Sequence, residues 1–406
     1  MESSAAEERR ILIFAEAVTL AHVARPLCFA RGLDPGRYRV AIAAAAWVAP
    51  FIQAAGIEHL PLTSIEPSRF LEALARGSPV YDATTLGQYV EADCALIARY
   101  RPNLIVGDFR LSLSVSARLA QVPYVAISSA YWSPHYTPSQ WPVPSLPISR
   151  YLPLGLAQTL FSIARPFAFA GHCGPMNVVR RHHGLPALPR DLQLVYTDAD
   201  HVLYSDFPEL FPMGSMPPTH RFGGAVLWEP ANPLPDWWDR VPAMKPQVYV
   251  TLGSSGAASQ LPMVVEAIAA LPVSVLVATA GAPLPAVAAQ NVFAAPYLPG
   301  LQAARRAQLV VCNGGSLTAY QALAGGAPVL GLAGNLDQFL NMQAFERAGL
   351  GRTLRADRLV VRTMQQVAKE MIALPPATAA MAVLQERCAA ERFESAAAAL
   401  VQELVG

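Results

Sequence analysis

Short, nearly continuous apolar runs recur along the chain, separated by stretches whose apolar residues return every three or four positions. The first kind reads as strands buried on both faces, the second as helices that cover them. Strands are expected at Arg10–Phe14, Arg39–Ala43, His59–Leu62, Leu104–Val106, Tyr124–Ser128 and His201–Tyr204. Between them fall helices at His22–Arg31, Phe51–Ala55, Phe70–Ala75, Leu86–Tyr100 and Leu113–Ala120. The rhythm breaks from Ser129 to Leu188 and again in the Pro-rich stretch PANPLPDWWDRVPAMKP. It then restarts with strands at Gln247–Leu252, Val273–Thr279, Val292–Ala294, Leu309–Cys312 and Pro328–Leu332. The helices of this second half are Met263–Leu271, Leu301–Ala307, Ser316–Ala324, Met342–Ala348, Met364–Leu374 and a long final one, about Met381–Leu404.

Repeated strand–helix units of this kind predict an α/β chain with parallel sheets covered on both faces. A length of 406 residues exceeds what one core usually supports. Two Rossmann-like domains are therefore expected: residues 1–229, with an insert at about 129–188, and residues 247–380. Residues 230–246 form the linker, and 381–406 a C-terminal helix that packs back on the first domain.

The insert is where Pro134, Pro138, Pro142, Pro144, Pro147 and Pro153 crowd beside aromatic residues. Proline blocks regular interiors, and aromatic loops carried on a rigid sheet are where ligands are met. Tyr131, Trp132, His135 and Trp141 are the acceptor-binding candidates. Within the insert, Tyr151–Gly171 is long and apolar but holds Arg165 and two prolines, which argues for a buried or interfacial helix over a spanning one. Arg180, Arg181, His182 and His183 follow. A basic rim beside an apolar face suits peripheral contact with a membrane; a pocket wall with a solvated helix end is the simpler expectation.

Charged residues make up only 15% and the formal net charge is +1, which removes any global argument for nucleic acid. The five cysteines are scattered and never in CxxC spacing, so neither a zinc site nor a disulfide framework is expected. The polar N-terminus MESSAAEERR lacks the apolar core of a secretory signal, and a cytoplasmic protein is the expectation. An Asp-x-Asp pair, the usual recruiter of a divalent metal, is found only at Asp198–Asp200 before a strand, where it reads as a surface turn.

The most informative stretch runs from Ala307 to Asn341. A strand enters the turn Gly314-Gly315, a helix leaves it, and a second strand leads to Asp337 and Gln338. A Gly-rich strand-to-helix turn presents free N–H groups and a positive helix end, which suits a phosphate. The residues NGGSLTAYQALAGGAPVLGLAGNLDQFLNM resemble, without a gap, the family 1 signature HGGxGTxxEALxxGxPxxxxPxxxDQxxNA of nucleotide-sugar glycosyltransferases. The segments AHVARPL, RPNLIVGD, AQVPYVAISS and TLGSSG resemble further family segments, so the likeness covers most of the chain outside the insert.

This resemblance, closest to bacterial natural-product and macrolide enzymes, implies the GT-B fold of two Rossmann-like domains facing a central cleft. It implies an inverting, metal-independent transfer of a hexose from a uridine or thymidine diphosphate sugar to a hydroxyl of an apolar small-molecule or lipid acceptor, with no cofactor. His22 is then the base and Asp108 its support. An imidazole takes a proton from a hydroxyl near neutrality, and a carboxylate on its far nitrogen fixes the tautomer. The donor-binding set implied is Gly253, Ser254, Ser255, Tyr297, Leu298, Asn313, Gly314, Gly315, Ser316, Thr318, Gln321, Asp337 and Gln338. Asn313 replaces the family's histidine, Gln321 its glutamate, Leu317 a glycine and Ala333 a proline, so the cradle carries less charge than usual. Asp337 and Gln338 are equally suited to cap the following helix. Two other classes fit the fold: a sugar-nucleotide epimerase and a catalytically silent binding protein.

Overall fold

The computed structural model describes residues 9–230, 232–256, 258–283, 289–373 and 379–406. The polar residues 1–8, Ala231 of the expected linker and Leu374 of an expected helix lie outside them. The described chain separates into two compact units. The first comprises 1–137, 164–226 and 391–406; the second comprises 138–163 and 227–390.

The first unit holds a seven-stranded sheet built from β1 (Arg9–Ala15), β2 (Tyr38–Ala44), β3 (Glu58–Pro61), β4 (Leu104–Asp108), β5 (Tyr124–Ser128), β6 (His201–Tyr204) and β7 (His220–Phe222). Their spatial order is β3-β2-β1-β4-β5-β6-β7, and every pairing is parallel. The second unit holds a six-stranded parallel sheet of β8 (Gln247–Thr251), β9 (Ser274–Ala278), β10 (Val292–Ala295), β11 (Leu309–Cys312), β12 (Val329–Ala333) and β13 (Gly351–Arg355), ordered β10-β9-β8-β11-β12-β13. Each order reverses once: between β1 and β4 in the first sheet, and between β8 and β11 in the second. In open parallel sheets the crevice beyond the carboxyl ends of the strands at such a reversal is where ligands bind.

The central strands are apolar runs because both faces are covered. Ile11 to Phe14 and Leu309 to Cys312 have no exposed surface at all. Val248, Val250, Val264, Ile268, Val311 and Met364 belong to one apolar cluster of the second unit.

Three expectations need correction, and one is met. The helix expected at Tyr151–Gly171 is present as Leu154–His172, flanked by Pro147–Tyr151 and Gly174–His182; Pro147, Pro153 and Pro175 stand at helix starts, where proline is tolerated, and Pro166 lies within the long helix. The middle part of the stretch 129–188, residues 138–163, groups with the second unit. The helix expected to start at Met342 starts at Leu336. Asn335 closes a capping box there, accepting from the Gln338 N–H at 3.0 Å while the Gln338 amide accepts from the Asn335 N–H at 3.3 Å. The single final helix is two, Ala379–Ala390 and Phe393–Val405, with extended backbone at Arg392 between them. The break sends Phe393 into full burial against Gly223, where a Cβ would come within 2.9 Å of its ring. Strands β7 (HRF) and β13 (GRTLR) have no apolar run because each lies at a sheet edge.

Candidate active site and its relatives

In the first unit the two catalytic candidates lie at the sheet's reversal. Ala15 pairs with Asp108 across β1 and β4, so the end of one strand adjoins the end of the other. The helix Ala21–Arg31 begins just beyond β1 and carries His22 in its first turn. His22 Nδ1 lies 2.7 Å from Asp108 Oδ1. Asp108 is fully buried, while the His22 side chain keeps 16% of its surface exposed, enough for an acceptor to reach it. An ionised carboxylate only accepts hydrogen bonds. With its proton on Nδ1, His22 donates to Oδ1 and keeps the lone pair on Nε2.

Three neighbours absent from the sequence reading complete the setting. Arg25, one helical turn beyond His22, reaches Asp108 with Nε 2.7 Å from Oδ2 and Nη2 3.0 Å from Oδ1. Its Nη2 also stands 2.7 Å from His22 Nδ1, and its Nη1 donates to Ser129 Oγ at 3.0 Å. Two donors thus converge on one carboxylate oxygen. Phe109 stacks on the imidazole with ring centroids 4.8 Å apart and planes 20° apart. It does so from a left-handed backbone, φ 56°, which costs a bulky side chain roughly 1–2 kcal/mol. The next residue anchors that turn: Arg110 is fully buried between Glu16 (2.8 Å) and Asp93 (2.9 Å), with its guanidinium 3.5 Å above the Tyr89 ring. Burial pushes both carboxyls up, since one arginine cannot compensate two buried carboxylates fully. The signal for Arg25 was present in the sequence: one arginine in the otherwise apolar helix segment AHVARPLCFA.

The second unit places its candidates at the corresponding reversal. Gly253, Ser254 and Ser255 follow β8, and Asn313 to Ser316 follow β11. Gly314 has φ 80°, and a Cβ there would come within 2.7 Å of Met342, so only glycine makes this turn. Asn313 joins the two loops: its Nδ2 donates to Ser255 Oγ at 3.0 Å and its Oδ1 accepts from the Gly315 N–H at 3.0 Å. Asn341 Nδ2 donates to the Gly314 carbonyl at 2.9 Å. Ser316 and Thr318 sit in the first turn of the helix Ser316–Gly325, and Asp337 in the first turn of Leu336–Arg347.

Some candidates already have structural work. The Gln338 amide caps its helix and accepts from the Gly334 N–H at 2.8 Å. Gln321 Nε2 donates to the Trp228 carbonyl at 2.6 Å, and its Oε1 occupies the space a Cβ at Gly300 would need. Leu298 is buried, and Tyr297 follows β10 beside Gly281. Tyr131 and Trp132 are buried in the first unit, Trp132 against Tyr196 at 4.9 Å, and His135 meets His220 edge-on at 5.1 Å. Trp141 groups with the second unit, where its carbonyl accepts from Gln158. Asp198 is held by Arg118 at 2.7 Å and Arg180 at 2.6 Å. Among the described residues, no three His, Cys, Asp or Glu side chains gather as a metal site.

The chain is 49% identical over 355 residues to a PGL/p-HBAD biosynthesis rhamnosyltransferase of Mycobacterium bovis, covering 87% of this chain and 79% of that protein. It is 44% identical over 367 residues to a PGL/p-HBAD biosynthesis glycosyltransferase of Mycobacterium tuberculosis, covering 90% and 86%. The chain belongs to the PGL/p-HBAD biosynthesis glycosyltransferases. No family model matches it. The glycosyltransferase shares its two-domain GT-B fold with spinosyn rhamnosyltransferase SpnG complexed with thymidine diphosphate: TM-score 0.68 at 20% identity, over 98% of this chain and all of that one. Among the described residues of the enzyme, no helix is long and apolar enough to cross a membrane.

Proposed function

We propose that the enzyme moves a hexose from a nucleoside-diphosphate sugar to a hydroxyl of an apolar small-molecule or lipid acceptor, with inversion and without a metal. The observation that carries this reading is the His22–Asp108 contact of 2.7 Å at the sheet's reversal point. His22 Nε2 takes the proton of the acceptor hydroxyl as its oxygen attacks the anomeric carbon, and the bond from that carbon to the diphosphate breaks. The diphosphate leaves with the electron pair. The N–H groups that open the helix Ser316–Gly325 supply preorganised donors for it. A relative named a rhamnosyltransferase supports a deoxyhexose, and a fold neighbour carrying thymidine diphosphate supports a thymidine nucleotide.

An apolar acceptor is supported by the aromatic surroundings of His22, where Phe109 stacks on the imidazole. Tyr81 and Tyr196 pack in turn on Phe109. A peripheral membrane station has its own support. Leu156, Leu160, Ile163 and Phe167 form one stripe along the helix Leu154–His172 and are 40–78% exposed. No Asp or Glu occurs between Asp108 and Asp191, a stretch that includes exposed Arg181 and Arg190. Apolar insertion beside basic residues suits an anionic membrane surface.

Incubating the protein with thymidine and uridine diphosphate sugars and an apolar alcohol tests the reaction. Nucleoside diphosphate should be released only when the acceptor is present, persist in a chelator, and yield a product of inverted anomeric configuration. Release without acceptor, or none with any donor, removes the reading. Co-sedimentation with phosphatidylglycerol vesicles, lost in Phe167→Glu, tests the membrane station; equal binding by the variant removes it.

A further inference from the structure

We propose that Arg25 is the positioning residue of the His22–Asp108 pair, a role that rests on the transfer reading above. Its guanidinium touches every part of the assembly: Asp108 Oδ2 at 2.7 Å, Asp108 Oδ1 at 3.0 Å, His22 Nδ1 at 2.7 Å and Ser129 Oγ at 3.0 Å. These groups come from three elements, the first helix, the end of β4 and the end of β5. The Arg25 side chain is only 9% exposed, so it acts on its neighbours and not on bulk solvent.

The need for such a residue follows from the burial of Asp108. A carboxylate with no exposed surface requires charge and hydrogen-bond compensation that one neutral imidazole N–H cannot supply. A guanidinium is a rigid planar fork that stays charged. Its Nη2 donates to Oδ1, and its Nε lies against Oδ2 as an ion-pair contact. Held in this way, Oδ1 faces His22 Nδ1 and takes the Nδ1 proton in a hydrogen bond, which leaves the lone pair on Nε2. Nη1 extends the same constraint to Ser129, the residue that opens the 3-10 turn Ala130–Trp132. A lysine presents a point charge and cannot engage Oδ1, Oδ2 and Ser129 at once.

The test uses Arg25→Gln and Arg25→Lys in the full chain. Nitrogen-15 chemical shifts of the His22 ring, assigned through His22→Gln, report the tautomer without any turnover. The wild type should show the Nδ1–H form, and Arg25→Gln a mixture of both. In steady-state assays kcat should fall roughly 10- to 100-fold, as expected for a misplaced catalytic group, with the donor KM within about twofold. Arg25→Lys should recover only part of kcat, and guanidinium at millimolar concentration should partly restore Arg25→Gln. A purely structural ion pair predicts a lower melting temperature with an unchanged tautomer and unchanged kcat per folded molecule. Either an unchanged tautomer or an unchanged kcat overturns the proposal. If the wild type transfers no sugar, the function reading fails instead, and the tautomer measurement still decides what Arg25 does.

Discussion

The two units repeat one plan, a parallel sheet whose order reverses once, and furnish the reversal point with opposite chemistry. The first places a histidine, a buried carboxylate and a buried arginine there, above a second buried cluster of Arg110, Glu16 and Asp93. The second uses amides, hydroxyls and backbone: Asn313 to Ser255 and Gly315, Asn341 to Gly314, Gln338 to Gly334. All eight histidines of the chain fall in the first unit. Proton transfer needs groups that change charge and are held by other charges. Receiving a diphosphate needs donors already in place, for which neutral groups and a helix end suffice. The contrast shows that topology locates a site, while the side chains at its edge decide what it does.

The largest effect should come from removing the proton acceptor. His22→Ala is expected to lower the transfer rate about 10²- to 10⁴-fold. Thermal-shift stabilisation by nucleoside diphosphate should stay intact, because the residues proposed to receive it lie in the second unit. Retained transfer would break the division of labour. Next in size is Arg110→Met, which leaves two buried carboxyls without their cation. Urea unfolding should show a loss of about 3–5 kcal/mol, confined to the first unit if the units unfold separately. Asn313→Ala opens the link between two loops and should cost about 1 kcal/mol, with a several-fold higher donor KM and unchanged acceptor KM. A shifted acceptor KM instead would blur the comparison.

A further effect is a pH dependence specific to the first unit. Burial holds the His220 imidazole down at about 4, with His135 and His201 adding to the shift, and Tyr204 hydroxyl stands 2.7 Å from its Nδ1. The unfolded chain therefore binds more protons than the folded one between about pH 6.5 and pH 4. Stability is full above that window and falls as pH drops through it. Melting curves should show this decline, and His220→Gln should flatten it; an equal decline in the variant would assign it elsewhere.

Legibility in the sequence followed local determination. The strands Tyr124–Ser128 and Leu309–Cys312 and the helix Leu113–Ala120 have the bounds expected of them, because apolar runs between turn residues fix them locally. The edge strands β7 and β13 were hidden because one neighbour suffices to hold a polar segment at a sheet edge. The early start of the Leu336–Arg347 helix depended on the Asn335 cap, visible only once Gln338 is read as its partner. At the site, His22 and Asp108 were legible through their segments. Arg25 showed only as a lone charge in its helix, and Phe109 and the Arg110 cluster not at all, since their roles arise from contacts between residues up to 104 positions apart. The Gly-Gly turn was plain and a capping role for Gln338 was open from the sequence, whereas the bond that engages Gln321 had no sequence mark.

The break at Arg392 carries a practical consequence. The chain passes between the two units four times, and its last passage delivers the helix Phe393–Val405 to the first unit. Phe393 is fully buried there, and the Glu394 carbonyl stands where a side chain at Gly32 would be. A chimera that exchanges second units whole must therefore be cut at all four passages, near residues 137, 163, 226 and 390. The final sixteen residues have to travel with the partner that supplies His22, or the helix bearing the base loses its backing.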